Sequence, residues 1–125
     1  MNLVDSCGWL EYFADGPNAA FFANPLEEVA SLVVPTICVY EVFRRLLSQI
    51  GRSGALEAVA MMRQATIVPL SDTVAMQAAG IGMETKMAMA DSIIVATARL
   101  HGATIWTQDS HFAELPGVRY KATKK

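Results

Sequence analysis

The sequence is poor in cysteine, in excess positive charge and in long apolar runs, and each of these absences excludes a class of protein. Its two cysteines, Cys7 and Cys38, stand among apolar residues and follow no metal-binding or disulfide spacing. Positive charge is not in excess, because 10 Lys and Arg face 12 Asp and Glu and the formal net charge is −2. No apolar run is long enough to span a bilayer, and the segment MNLVDSCGWL lacks the regions of a secretion signal. We therefore expect a soluble, cytoplasmic protein with two buried, reduced thiols that does not coat nucleic acid by bulk charge.

What the chain has is apolar residues in short runs. They make up 53% of its 125 residues, against 18% charged residues, which predicts a single globular domain over residues 1–125. We predict strands over residues 1–4, 29–34, 65–70 and 103–107, and an edge strand over 118–120. We predict helices around residues 6–13 and over 18–23, 36–50, 54–64, 72–83 and 88–100. This alternation is typical of the α/β class, with a central, mostly parallel sheet of four to five strands and helices on both faces.

Glycine and proline set the predicted boundaries of several helices. Asn24-Pro25 is expected to end the helix over residues 18–23, and Gly51 to end the helix over residues 36–50. The spacing in the latter helix predicts an apolar face made of Val39, Tyr40, Phe43, Leu46, Leu47 and Ile50.

The stretch from Ala88 to Ala98 reads AMADSIIVATA and predicts a helix packed inside the domain, because nearly every face of it is apolar. Asp91 is the one acid in this stretch, and no Lys or Arg lies three or four residues away from it. A carboxylate among apolar neighbours is costly unless a cation or a hydrogen-bond donor meets it. We therefore interpret Asp91 as a functional residue.

Three further acids stand at positions where they could join Asp91. Asp5 and Asp109 follow predicted strands, at the carboxyl ends where parallel sheets gather ligand-binding groups. Each acid also has a plainer role: Asp5 and Asp109 could cap the turns that follow, and Glu41 could pair with Arg45 on a solvated helix face. Acids that converge would repel one another and raise one another's pKa values. A divalent cation bound between them would offset this repulsion. An all-oxygen ligand set favours Mg²⁺ or Mn²⁺ over zinc.

The acids lie within four motifs that follow one another along nearly the whole chain. The motifs are VDS at residues 4–6, Glu41 early in a helix after a strand and Pro35, ADSIIVATA at residues 90–98 and GATIWTQDSHF at residues 102–112. In this order they resemble the PIN-domain family, and within it the VapC toxins of toxin–antitoxin pairs. The resemblance implies a PIN-like three-layer α/β/α fold.

The resemblance also implies a metal-dependent endoribonuclease that hydrolyses RNA phosphodiester bonds. The implied catalytic and metal-binding residues are Asp5, Glu41, Asp91 and Asp109, around Mg²⁺ or Mn²⁺. Ser6 and Thr107 are implied to orient these carboxylates. The implied partners are the RNA substrate, a cognate antitoxin protein and a second copy of the chain in a homodimer.

The chain departs from relatives that carry another acid just after the TQD segment, since it has Ser110 and His111 there. This leaves open whether one or two metal ions bind. His111 is predicted to pack in a turn beside Phe112, with phosphate contact as the alternative. Arginines 44, 45, 52 and 63 are either ordinary solvated charge or a basic rim for RNA. A housekeeping PIN-type RNA-processing nuclease and a non-catalytic PIN-like module that binds RNA or protein remain alternative functions.

Overall fold

Five parallel strands form the centre of the computed structural model, which describes residues 1–124. The strands are β1 (Asn2–Val4), β2 (Leu32–Pro35), β3 (Thr66–Val68), β4 (Thr104–Thr107) and β5 (Val118–Tyr120). They pair in the order β3-β2-β1-β4-β5, and every pairing is parallel. The central strand β1 is apolar, and its Leu3 and Val4 are fully buried between its neighbours. The predicted α/β class and mostly parallel sheet are confirmed.

Within residues 1–124, five helices cover the sheet and complete a three-layer α/β/α fold. They are α1 (Ser6–Phe13), α2 (Ala19–Glu27), α3 (Thr36–Met62), α4 (Asp72–Thr85) and α5 (Met89–Leu100). Short 3-10 turns lie at Val29–Ser31 and Ser110–Phe112. Helix α5 is the most enclosed, since all of its residues from Ser92 to Ala98 are buried, as its apolar composition predicts. No helix within residues 1–124 combines the length and the apolar character needed to cross a membrane.

Two predicted boundaries differ from the structure by three residues or more, and the strand predicted over residues 65–70 spans only Thr66–Val68. The strand predicted over residues 29–34 begins only at Leu32, which lies opposite Asn2 and is the first residue of β2 paired with β1. The preceding residues form a turn in which Ser31 N–H donates to Glu28 O at 3.0 Å. The helix predicted over residues 18–23 continues through Pro25 to Glu27. Burial of Pro25 and Leu26 offsets the one hydrogen bond that proline cannot donate.

Helix α3 is interrupted at Gly51, where the sequence predicted the end of a helix. Gly51 has φ 83° and ψ 177°, a backbone conformation that favours glycine, so two helical segments meet there at a kink. The apolar face predicted for the first segment is confirmed for Val39, Phe43 and Leu46, which pack against the core. It is wrong for Tyr40, Leu47 and Ile50, which are 56%, 39% and 60% exposed. The buried stripe is Cys38, Val42 and Leu46, at four-residue spacing, so the core face is rotated toward Cys38 and Val42 and Tyr40 is exposed to solvent.

Candidate metal centre

Asp5 lies between β1 and α1, where it caps the helix, and its buried carboxylate accepts hydrogen bonds from three donors. It accepts from Ser6 N at 2.6 Å, from Thr107 Oγ1 at 2.9 Å and from the Cys7 thiol at 3.3 Å. Burial nevertheless raises the pKa of Asp5 from its ordinary value of 3.8 to about 6, and the nearby charge of Asp91 adds to this rise. Asp5 thus fills its plainer role as a helix cap, while its carboxylate stays at the carboxyl edge of the sheet.

Thr107 ends the neighbouring strand β4 and joins two of the acids. Its fully buried hydroxyl donates to Asp5 Oδ2 at 2.9 Å and accepts from the backbone N–H of Asp109 at 2.9 Å. Parallel pairing of β1 with β4, with Val4 opposite Trp106, brings these two strand ends together. The sheet register and one hydroxyl group therefore fix the position of Asp5 relative to Asp109.

Glu41 enters the same region from α3. The Ser6 hydroxyl donates to Glu41 Oε1 at 2.7 Å, which ties the beginning of α1 to α3. The alternative surface pair with Arg45 is not formed within the described residues 1–124. Glu41 is half-buried, and its charge contributes to raising the pKa of Asp91.

Asp91 lies in the first turn of α5 and is half-buried. The expectation of a fully enclosed carboxylate is wrong, because the apolar packing of α5 begins only at the next residue, Ser92. Partial burial still raises the pKa of Asp91, and the nearby carboxylate of Asp109 raises it further, whereas His111 lowers it. The helix N-terminus also favours a negative charge at this position.

Asp109 and His111 complete a compact group with Asp91. Each of the three offers one ligand atom, and these atoms lie within 4.8 Å of one another. His111 Nδ1 is 3.1 Å from Asp109 Oδ1, and the His111 side chain is 76% exposed. The prediction that His111 packs in the turn is wrong, because Phe112 occupies the buried position of that turn.

The sequence interpretation missed the place of Cys7 in this centre. Its half-buried thiol contacts Asp5 and lies 3.5 Å from Thr107 Oγ1, so its surroundings are polar rather than apolar. Burial and the charge of Asp5 raise the pKa of Cys7 to about 12, which keeps the thiol protonated as a donor. Its position two residues after Asp5, at the beginning of a helix, was the available signal. Cys38 is fully buried, as expected.

The donor set fits a divalent cation. Carboxylates surround the site, and no Lys or Arg within residues 1–124 forms an ion pair with any of them. Burial raises the pKa values of Asp5 and Asp91 despite the hydrogen bonds to Asp5 and the nearby His111, so a cation beside them would favour their ionised forms. Carboxylate oxygens suit Mg²⁺ and Mn²⁺, and the imidazole of His111 adds a nitrogen donor that suits Mn²⁺ better.

These features define an α/β domain with an acidic site at the carboxyl edge of a parallel sheet. The PIN domain family model matches residues 3–118, so the chain belongs to the PIN-domain family. No curated protein matches the sequence. The match to the PIN domain family model confirms the family resemblance predicted from the sequence.

Solved structures share the fold over nearly their whole length. A toxin–antitoxin complex from Klebsiella pneumoniae matches with TM-score 0.82 and 22% identity, covering 95% of this chain and 96% of that one. The sarcin-ricin loop cleaving toxin VapC20 from Mycobacterium tuberculosis matches with TM-score 0.78 and 16% identity, covering 94% and 97%. FitAcB from Neisseria gonorrhoeae matches with TM-score 0.71 and 23% identity, covering 94% and 96%.

Proposed function

We propose that this chain is a metal-dependent endoribonuclease that hydrolyses RNA phosphodiester bonds and acts as the toxin of a toxin–antitoxin pair. The observation that carries the proposal is the convergence of acids from separate elements of a PIN fold, with no Lys or Arg in an ion pair with any of them within residues 1–124. Asp5, Glu41, Asp91 and Asp109 are the proposed metal-binding and catalytic residues. Ser6 and Thr107 are proposed to orient them through their hydrogen bonds to Glu41 and Asp5.

A bound Mg²⁺ or Mn²⁺ ion would activate water and offset the charge that develops on the phosphate during hydrolysis. The protein contributes the positions of the carboxylates and their charge. Asp91, Asp109 and His111 are close enough to hold one ion together. Protons compete with a cation for Asp5, whose pKa is about 6, so cation binding and cleavage are expected to strengthen as the pH rises through that value.

The toxin role is supported by the kind of proteins that share the fold. Those compared above include a toxin–antitoxin complex and a toxin that cleaves the sarcin-ricin loop. By analogy, we propose a cognate antitoxin as regulator, RNA as substrate and a homodimer as the assembled form. The free thiols of Cys7 and Cys38 are compatible with the proposed reducing, cytoplasmic setting.

The main alternatives are a housekeeping PIN-type RNA-processing nuclease and a non-catalytic module that binds RNA or protein. The housekeeping nuclease would use the same residues, and the presence of an antitoxin gene beside this one would argue against it. A non-catalytic module would have no need for four neighbouring acids that form no ion pair with Lys or Arg within residues 1–124. Neighbouring carboxylates repel one another and also repel RNA phosphates unless a cation is bound between them.

The test is cleavage of total RNA by the purified protein, with and without Mg²⁺ or Mn²⁺. Asp91→Asn should lower metal-dependent cleavage by about 100-fold or more, since loss of even an indirect metal contact costs about 10–100-fold. Glu84→Gln, which changes an exposed acid of α4, should leave cleavage unchanged. Full metal-dependent cleavage by Asp91→Asn would overturn the proposed site. Absence of both cleavage and metal binding in the folded protein would favour the binding module.

A further inference from the structure

A cleft of about 510 Å³ opens beside the acidic centre, between α1 and the first segment of α3. Ser6 and Glu41, which are hydrogen-bonded to each other, lie in its wall. The exposed side chains of Tyr40, Arg44 and Arg45 line it on the α3 side. The cleft thus runs from the acidic centre to a basic and aromatic surface.

Tyr40 also lines a second cleft of about 430 Å³, whose wall contains Arg63 from the end of the second α3 segment. The Tyr40 ring therefore stands between the two clefts and is 56% exposed. Its hydroxyl oxygen accepts a hydrogen bond from Arg44 Nη1 at 3.3 Å. We name the surface made of Tyr40, Arg44, Arg45 and Arg63 the Tyr40 track.

The charges of the Tyr40 track complement those of the acidic centre. Arg44 and Arg45 follow Glu41 by three and four residues on one helix, which places their Cβ atoms about 5–6 Å from that of Glu41. Neither arginine forms an ion pair with a carboxylate within residues 1–124. A polyanion that enters a centre built of acids needs cations at its flanks, and these two guanidinium groups are the ones in the wall beside Glu41.

We propose that the Tyr40 track binds single-stranded RNA next to the cleavage site. This inference rests on the proposed ribonuclease function. Arg44 and Arg45 bind phosphates adjoining the one at the acidic centre, and Tyr40 stacks on an unpaired base. Arg63 receives the strand where it continues into the second cleft. An exposed aromatic ring between guanidinium groups matches the stacking and phosphate contacts by which proteins hold single strands. An acidic peptide would use the arginines but would leave the ring without a base.

The test measures binding of a fluorescein-labelled single-stranded RNA by anisotropy in Mg²⁺ buffer. Asp91→Asn serves as the background so that the RNA stays intact. Arg44→Ala with Arg45→Ala should weaken binding at least tenfold at low salt. The double substitution should also reduce the slope of log K against log salt by about 1.4, since each lost contact to a single strand removes about 0.7. Arg52→Ala, an exposed arginine of α3 that lines neither cleft, is the matched control and should change neither quantity.

Tyr40 separates RNA from an acidic peptide as the occupant. Tyr40→Leu should weaken RNA binding about tenfold, and Tyr40→Phe, which keeps the ring, should restore most of it. Polyglutamate of equal charge should displace the RNA poorly from the Asp91→Asn background protein. Tyr40, Arg44 and Arg45 are exposed, so their substitutions should not change the thermal midpoint of unfolding.

Several outcomes would overturn this proposal. RNA binding that responds equally to the double arginine substitution and to Arg52→Ala would reject the Tyr40 track but leave the proposed function intact. Displacement by polyglutamate as effective as by unlabelled RNA would identify an acidic peptide as the occupant. Failure of the background protein to bind RNA at any salt concentration would reject the Tyr40 track, whereas the proposed ribonuclease is tested separately by metal-dependent cleavage with the wild-type protein.

Discussion

The buried carboxylate of Asp5 shows how two opposing effects meet in one residue. Three donors favour its ionised form, yet burial outweighs them and raises its pKa to about 6. At neutral pH Asp5 is therefore mostly ionised, buried and without a cationic partner within the described residues. A bound divalent cation would relieve this cost.

Thr107 is predicted to act by holding Asp5 and Asp109 in place. Thr107→Val removes both the hydrogen bond to Asp5 and the acceptor for Asp109 N–H while keeping the side-chain volume. We expect Mn²⁺ affinity, measured by calorimetry, to fall about 10–100-fold. Stability should fall by about 1–3 kcal/mol, because buried polar groups lose their partner.

The matched control for this prediction is Thr97→Val in α5. Thr97 is also buried, but its hydroxyl bonds only to Ile93 O in its own helix. This substitution should leave Mn²⁺ affinity unchanged. Equal losses of affinity in the two variants would show that Thr107 acts only through the general stability of the fold.

The raised pKa of Asp5 predicts the pH dependence of stability without metal. The folded chain holds the Asp5 proton more tightly than the unfolded chain, since the pKa falls from about 6 to about 3.8 on unfolding. Unfolding therefore releases a proton between these pH values, and stability should fall as the pH rises from about 4 to about 6. The loss is about 3 kcal/mol at most, and urea unfolding in EDTA would measure it.

Two comparisons test this assignment to Asp5. Asp5→Asn keeps a capping side chain without a titrating proton, so its stability should depend less on pH. Saturating Mn²⁺ should reverse the trend, because the cation binds the ionised carboxylates and its stabilisation grows as protons leave. A wild-type stability that rises from pH 4 to pH 6 in EDTA would contradict the prediction.

At the residue scale, the sequence could predict where the proposed site acids lie in the fold but not all of their neighbours. Asp5 and Asp109 were predictable because the carboxyl ends of parallel strands share one edge of a sheet. The contribution of His111 depends on which side of a short 3-10 turn faces the acids, and spacing alone does not determine that. Cys7 was misread because a thiol in an apolar stretch usually packs as a small apolar group.

At the scale of elements, the strongly periodic segments were predictable and the boundaries were not. Helix α5 and the alternation of strands and helices follow from apolar pattern. The beginning of β2 depends on the register of its partner strand, and the extension of α2 through Pro25 depends on burial against the core. Both are tertiary effects that override local propensity, and so is the rotated core face of α3.

The different surroundings of Gly8 in α1 and Gly80 in α4 predict opposite effects of their substitution by alanine. A Cβ on Gly8 would lie 2.5 Å from Val4 Cγ1 and 2.6 Å from the Phe22 ring, and both of these side chains are fully buried. Gly8→Ala should therefore destabilise the protein by about 1–3 kcal/mol. Gly80→Ala in α4 meets nothing within 4 Å and should stabilise by about 0.5–1 kcal/mol.

Urea unfolding of the two glycine variants at unchanged m-value would measure both effects. A Gly8→Ala protein as stable as the wild type would mean that α1 can move away from the sheet at little cost. Such freedom would also loosen the cap at Asp5, so Mn²⁺ affinity of the same variant is a useful second measurement.

At the scale of the whole molecule, the exposed apolar residues are unevenly distributed. Met83 and Met89 are 74% and 75% exposed and border a groove of about 470 Å³ between α4 and α5. Leu70, which is 47% exposed, lies in the same wall. Flexible methionine side chains on a contiguous apolar surface are typical of protein interfaces. This surface shares no residue with the Tyr40 track.

If the proposed homodimer forms, this α4–α5 groove is where we expect the two copies to meet. Met83→Glu would place an unpaired charge in the interface and should weaken dimerisation by about 100-fold or more. Size-exclusion chromatography with light scattering at several protein concentrations would measure the change. Met61→Glu alters a methionine that is 45% exposed at the end of α3, away from the groove, and should leave the dimer intact. A Met83→Glu protein that remains dimeric would place the interface elsewhere, whereas a monomeric wild type would mean that the acidic centre and its RNA-binding surface work within one chain.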